Sequence, residues 1–364
     1  MGISRKEALD CLRSDDLIGI GMEADAVRRR LHPEGVVSYA VEAAIDCATV
    51  MGGGTRKGNQ PAVGCVHRLF DEIGEAVERG STGVRLVSGL GCESKSREME
   101  WFEGMLRGVR QRFPSLWIEA LSAAEMVALA AASGLDLRQT IARLRDAGMD
   151  SIACEDAVVN IGNRFARPQC TLTEWLAVHR AAHSLGMRTV ATMAFAFGVC
   201  ESGAGVTGAG EALQQRVDLL AAIRQLQEET GGFTAFVPRS LPSRNASGGW
   251  DEPTAVEQLK TLAVARVFLD NIENIQLNGA TQDLKVLQMG LRFGANDAGS
   301  VAPSAHGATK WSGAKPGNKA TSAGGANAAA VANRIGEEDL RRIIRDAGFQ
   351  PVQRDTPYRM MFLN

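Results

Sequence analysis

Residues 136–154 read Asp136-Leu-Arg-Gln-Thr-Ile-Ala-Arg-Leu-Arg-Asp-Ala-Gly-Met-Asp-Ser-Ile-Ala-Cys154. A helical stretch, Asp136–Ala147, runs into Gly148 and then into the short apolar run Ser151–Cys154. Glycine just past a helix is a natural stop, because it adopts the left-handed conformation without a Cβ clash. The same order returns at Leu172–Leu185, Gly186 and Thr189–Ala194. Helices that end on glycine and feed a strand imply parallel strands joined by crossover helices.

Working outward, strand-like runs occur at Val36–Ala40, Gly83–Ser88, Leu116–Ala120, Phe233–Pro238, Asn274–Leu277 and Gly290–Phe293. Helical stretches lie between them, among them Arg97–Phe113, Ala209–Glu229 and Pro253–Leu269. About eight strand–helix units suit an α/β fold of the TIM-type barrel kind. The barrel is expected over residues 36–300, after an N-terminal helical segment, 1–35, that His32-Pro-Glu-Gly35 terminates. Arg28, Arg29 and Arg30 read as a solvated face of that segment. Residues 301–331, rich in Ala, Gly, Ser and Lys, read as a flexible loop or lid, and 332–364 as a C-terminal extension with a helix at Glu337–Asp346.

Of the 364 residues, 45% are apolar, enough for a sizeable core, and the net charge of −2 offers no basic footprint for nucleic acid. No run has the length of a membrane span, and residues 1–30 lack an apolar signal core, so a cytoplasmic protein with a small-molecule substrate is expected. The seven cysteines include no Cys-x-x-Cys pair, which excludes a local zinc ribbon.

Several segments carry a resemblance. Arg28-Arg-Arg-Leu-His-Pro-Glu-Gly-Val-Val37, Ala147-Gly-Met-Asp-Ser151, Leu172-Thr-Glu-Trp-Leu176 and Glu228-Glu-Thr-Gly-Gly-Phe-Thr-Ala-Phe236 belong to it, as do Phe293-Gly-Ala-Asn-Asp-Ala-Gly-Ser300 and Arg354-Asp-Thr-Pro-Tyr358. In order and spacing the chain resembles the radical S-adenosylmethionine (SAM) enzymes of the futalosine pathway to menaquinone, of the cyclic dehypoxanthinyl futalosine synthase kind. The resemblance implies a barrel of the radical SAM kind. It also marks a departure. The family's Cys-x3-Cys-x2-Cys loop falls near Met51, Thr55 and Gly58, none of which is an anionic sulfur ligand, so no conventional [4Fe–4S] cluster is expected. The family's glycine turns for SAM become Ser88-Gly-Leu-Gly-Cys92 and Cys154-Glu-Asp156, where added Cβ atoms and carboxylates fill ligand space. Whether SAM binds is left open.

Three tripeptides recur: Cys92-Glu93-Ser94, Cys154-Glu155-Asp156 and Cys200-Glu201-Ser202. Each follows a strand-like run, and in a barrel those loops converge at one mouth. Three thiolates with an open position suit zinc or iron, which makes Cys92, Cys154 and Cys200 candidate metal ligands. Alternatively one thiol is a nucleophile, or Glu93, Glu155, Asp156 and Glu201 do acid–base work. A neighbouring glutamate raises a thiol's pKa, so a nucleophilic cysteine needs a cation, for which Arg239 is a candidate. The bland alternative is three unrelated Cys-Glu pairs with exposed glutamates.

Asn278 and Gln282 follow the seventh strand-like run, Asn296 and Asp297 follow the eighth, and these four with Arg239 are the candidate substrate-binding residues. In the family this face binds substrate; loop capping by Asn and Asp is the plain alternative. Met51-Gly-Gly-Gly54 with Arg56 and Lys57 could cradle an anion, and a remodelled loop is the alternative. His179 and His183 are spaced four apart on a helix with no acid between them, and read as surface residues. Trp101, Trp117 and Trp175 read as packing residues.

The function read from this is a cluster-free, radical-SAM-like enzyme acting on a small polar metabolite in a specialised biosynthetic pathway. Its chemistry would be acid–base, thiol or metal-assisted. Three rivals stay open: an inactive homologue partnering an intact radical SAM enzyme, a SAM-binding enzyme with non-radical chemistry, and a displaced cluster on the three cysteines. A homo-oligomer is also compatible.

Overall fold

The computed structural model describes residues 2–47, 63–87, 99–153, 170–196, 200–202, 205–207, 209–241, 243–244, 250–251, 254–277, 283–303 and 335–361. Eight parallel strands form the frame: β1 (Val36–Asp46), β2 (Gly83–Val87), β3 (Trp117–Ala120), β4 (Ser151–Ile152), β5 (Thr189–Ala196), β8 (Phe233–Leu241), β11 (Asn274–Ile275) and β12 (Asp297–Val301); β6 (Cys200–Ser202) with β7 (Gly205–Thr207), and β9 (Ser243–Arg244) with β10 (Trp250–Asp251), form two small antiparallel pairs. One arc runs β12–β1–β2–β3–β4, the other β11–β8–β5. They meet where Gln276 bridges Asp297 and where the Leu277 amide donates to the Asp297 carbonyl at 2.9 Å. At the other seam the Ser151 hydroxyl donates to the Arg188 carbonyl at 2.8 Å. The sequence expectation of a TIM-type barrel agrees with this frame.

One strand differs from expectation. Gly290–Phe293 is not the eighth strand; it ends α10 (Leu284–Gly290) and enters a turn. Its apolar residues are buried by helix packing: Phe293 lies against Gly21, where a Cβ would sit 2.6 Å from the ring. The eighth strand is the small and polar Asp297–Val301.

Between the strands run α3 (Val63–Glu78), α4 (Met99–Arg112), α5 (Ala123–Ser133), α6 (Leu137–Asp146), α7 (Leu172–Ser184), α8 (Ala209–Thr230) and α9 (Ala255–Phe268). Reciprocal capping boxes start several of them, with Ser122 and Glu125 opening α5, Thr171 and Glu174 opening α7, and Thr254 and Glu257 opening α9. Each satisfies two otherwise orphaned backbone donors. Gly148 and Gly186 follow α6 and α7 at φ 119° and 78°, as the glycine stops require.

The N-terminal segment is two helices, α1 (Arg5–Arg13) and α2 (Leu17–Leu31), rather than one. They lie against α8 and α9: Lys260 donates to the Ser14 carbonyl at 2.6 Å. Arg28 is not part of a solvated face. It is buried, paired with Asp25 at 2.8 Å, whereas Arg29 and Arg30 are exposed. At the C-terminus, α11 (Glu337–Asp346) leads to β13 (Gln350–Arg354), which pairs parallel with the first half of β1. The second half of β1, from Glu42, pairs β2 instead, so β13 fills the sheet below β2. The loop expected at 301–331 lies almost wholly outside the described residues. Among the described residues no helix is long and apolar enough to cross a membrane.

Candidate functional site

Single charges sit in the middle of apolar strands, and their registers bring them together. Ala44 pairs Arg85, and Arg85 pairs Glu119, so Glu42, Arg85 and Glu119 share the inner face of β1–β3. Arg85 Nε donates to Glu119 Oε2 at 2.9 Å and its Nη2 lies 3.6 Å from Glu42 Oε2. From β13, Arg354 reaches Glu42 at 3.9 Å and bonds Asp297 twice, Nε to Oδ2 at 2.5 Å and Nη2 to Oδ1 at 3.0 Å. The Ser38 hydroxyl adds a bond to Asp297 at 2.6 Å. Tyr358 lies against the Arg354 guanidinium at 3.8 Å and donates to Gln276 at 2.6 Å. This lattice of three carboxylates and two guanidiniums fills the lower lumen.

Its electrostatics follow from burial. Desolvation raises the Glu119 carboxyl above the usual carboxylate range, and Glu42 adds to this, while Arg85 opposes it. Burial acts against the charge on Arg354, but Asp297, Tyr358 and Glu42 outweigh it and hold the guanidinium firmly charged. Sequence reading missed Glu42, Arg85, Glu119 and Arg354. The available signal was one charge at the centre of each of three successive apolar strands, in Gly83-Val-Arg-Leu-Val87 and Trp117-Ile-Glu-Ala120 most plainly.

Asn296 and Asp297 do not stand after the last strand at the mouth. Asp297 begins β12 and Asn296 precedes it, at the opposite end of the barrel. Their polar atoms hold the seam: Asn296 Oδ1 accepts from Arg266 at 2.7 Å and from the Ile275 amide at 2.9 Å, and its Nδ2 donates to Asn274 at 2.9 Å. A cavity of about 310 Å³ opens at this end, lined by His32, Ser38, Asn274, Asn296, Arg354 and Tyr358 among others. Those polar groups are bonded within the fold, and barrel enzymes work at the other end.

Of the mouth residues, Cys92, Glu93, Cys154, Glu155, Asp156, Asn278 and Gln282 lie outside the described residues, as does the segment with Met51, Thr55 and Gly58. Cys200 and Glu201 are not in an open loop after β5. They lie in β6 (Cys200–Ser202), a short hairpin strand antiparallel to β7 (Gly205–Thr207). Cys47, just after β1, is fully buried, its thiol 3.8 Å from the Ile45 carbonyl. Among the described residues no three His, Cys, Asp or Glu side chains gather to hold a metal. Arg239, near the end of β8, is half-buried, and its Nε is cut off from solvent without a hydrogen-bond partner among the described residues.

His179 and His183 are not surface residues. His179 is buried and His183 half-buried; Thr189 Oγ1 bonds both rings at 2.8 Å, and Thr230 holds His183 at 2.7 Å. Trp175 stacks on Phe233 at 5.8 Å beside them, consistent with the packing role read for it.

The sequence profile of the CofH/MqnC C-terminal region matches residues 230–363. The cyclic dehypoxanthine futalosine synthase of Streptomyces coelicolor is 31% identical over 385 residues, covering 100% of this chain and 86% of that protein. The aminodeoxyfutalosine synthase of Thermus thermophilus is 28% identical, over 79% of this chain and 71% of its own length. Among solved structures, the [FeFe]-hydrogenase maturase HydG of Carboxydothermus hydrogenoformans superposes with a TM-score of 0.63 at 14% identity, covering 98% of this chain and 78% of that one. Methylornithine synthase PylB gives 0.59 at 13% identity, with coverage of 96% and 94%. The two structural likenesses concern the fold.

Proposed function

The chain belongs to the futalosine-pathway family of radical-SAM-type proteins that includes cyclic dehypoxanthine futalosine synthase, and from that premise we propose that it is an enzyme of this barrel that works without the cluster. The observation that carries the proposal is chemical. None of the seven cysteines lies in a Cys-x3-Cys-x2-Cys pattern, and Met51, Thr55 and Gly58 cannot supply anionic sulfur. The donor set therefore does not fit a [4Fe–4S] cluster. The nearest thiol, Cys47, is buried under the strand end.

The substrate is a small polar metabolite entering the mouth above the charged lattice. Glu93, Glu155, Asp156 and Glu201 supply acid–base groups, with Cys92, Cys154 and Cys200 as thiols or, gathered together, as ligands to zinc or iron. The recurrence of Cys-Glu after the second, fourth and fifth barrel strands supports this assignment. The floor below adds no free acid: Glu42, Glu119 and Asp297 are already committed to Arg85 and Arg354.

Metal analysis of anaerobically purified protein tests the reading. No iron–sulfide cluster is expected, and zinc or a single sulfide-free iron near one atom per chain would favour the three-cysteine site. About four irons with matching sulfide would overturn the proposal.

A further inference from the structure

We propose that Arg239 anchors an oxyanion, a carboxylate or phosphate, on the small molecule that the barrel holds; the inference rests on reading the lumen as the substrate chamber. The register places this residue. Ala194, Thr192 and Val190 of β5 pair Arg239, Val237 and Ala235 of β8. Two packing facts decide which face these residues share. The ring of Phe195 lies under Arg216 of the outer helix α8, 4.9 Å away, so Ala194 beside it faces the lumen. Ala235 pairs Asn274, which bonds Asn296 and lines the cavity at the lumen base. Alternation then carries Val237 and Arg239 up the same inner wall, with Arg239 nearest the C-terminal mouth.

The other buried guanidiniums each have a partner, even where one nitrogen is left over: Arg216, whose Nε is unsatisfied like that of Arg239, donates through Nη1 to Thr261 at 3.2 Å and lies over the Phe195 ring. Arg28 bonds Asp25, Arg85 bonds Glu119, and Arg354 bonds Asp297. Arg266, with no carboxylate beside it, uses the carbonyls of Gly294, Ile272 and Glu273 together with Asn296. The Arg239 guanidinium makes neither a hydrogen bond nor an ion pair with any described residue, and its Nε is sealed from solvent. The described carboxylates of the lumen cannot serve it, since each is held by Arg85 or Arg354. A guanidinium held in a partly dry wall with no acceptor among the described residues is costly to the fold by itself. Its planar fork matches two coplanar oxygens of a carboxylate or phosphate, which makes a ligand oxyanion the natural complement.

The test uses the full chain and two probes, inorganic phosphate and succinate, titrated at constant ionic strength against sodium chloride. Thermal unfolding and calorimetry are the readouts. One probe should stabilise the wild-type protein, and which one does separates a phosphate-bearing from a carboxylate-bearing ligand. Arg239→Gln should weaken that binding by about tenfold or more, about 1.4 kcal/mol. Without anion, Arg239→Met should melt at or above the wild-type temperature, because it removes an unpaired charge. Undiminished binding in Arg239→Gln, no response of the wild-type protein to either probe, or a clear fall in the melting temperature of Arg239→Met would each overturn the proposal. Failure here with iron still absent would leave the cluster-free reading standing, so the two are separable.

Discussion

Arg354 clasps Asp297 through two hydrogen bonds of 2.5 and 3.0 Å, both side chains almost wholly out of solvent, and so ties the C-terminal strand β13 to the strand β12 that closes the barrel. Removing one partner leaves the other as an uncompensated buried charge. Arg354→Met is expected to cost roughly 3–5 kcal/mol in urea unfolding, with much of that recovered when Asp297→Leu is added. A loss below about 1 kcal/mol, the size of an exposed pair, would show that the clasp does not hold the barrel shut.

The second prediction concerns pH. Burial, with help from His183, holds His179 well below the ordinary histidine range; burial, with Arg188 and Arg180, pushes His183 down to about 4. In the unfolded chain both protonate near 6.5. Between about pH 6.5 and 4 the unfolded state therefore binds protons that the folded state refuses, and stability falls as pH falls. His183 alone contributes a loss of roughly 3 kcal/mol by pH 4, at about 1.4 kcal/mol per pH unit. Urea unfolding from pH 7 to 4.5 should show a shallower loss for His183→Gln than for the wild-type chain. Parallel curves would remove His183 from the account.

SAM affinity is a third measurement. Where the family places glycine turns, this chain has Gly91-Cys92-Glu93 and Cys154-Glu155-Asp156. Side chains in place of glycines fill ligand space, so calorimetry should find weak binding at best. A dissociation constant on the order of 1 μM or below would mean that the pocket survived.

A fourth set of measurements asks whether the recurring Cys-Glu pairs carry the chemistry. Single Cys→Ser changes at positions 92, 154 and 200 should remove metal if a three-thiolate site exists. Glu→Gln changes at 93, 155 and 201 should lower turnover on the substrate, by about 100-fold or more for a true acid–base group. Six variants with wild-type turnover would place the active site elsewhere.

How much of this was legible can be judged from particular elements. The helix Glu337–Asp346 and the helices around Gly148 and Gly186 were readable, because caps and stops are local signals. The eighth strand was not. Asp297-Ala-Gly-Ser-Val301 looks like a polar loop because its buried carboxylate is compensated by Arg354, far along the chain. Meanwhile Gly290–Phe293 offered an apolar run that packs as a helix end, with Gly290 tight against Leu277. That error displaced Asn296 and Asp297 to the wrong end of the barrel. His179 and His183 misled for a similar reason. Their burial depends on hydroxyls of Thr189 and Thr230 and on the face of Phe233, none of which lies on their own helix. The charged lattice of Glu42, Arg85 and Glu119 was visible only as isolated charges until strand registers aligned them.

The central claim is that a family barrel has been kept while its cluster ligands have not. Anaerobic reconstitution with iron and sulfide, followed by desalting, iron and sulfide assay and a visible spectrum, addresses it most directly. The account predicts no stoichiometric iron–sulfide and no broad cluster absorption. Recovery of about four irons and four sulfides per chain, with that absorption, would contradict it.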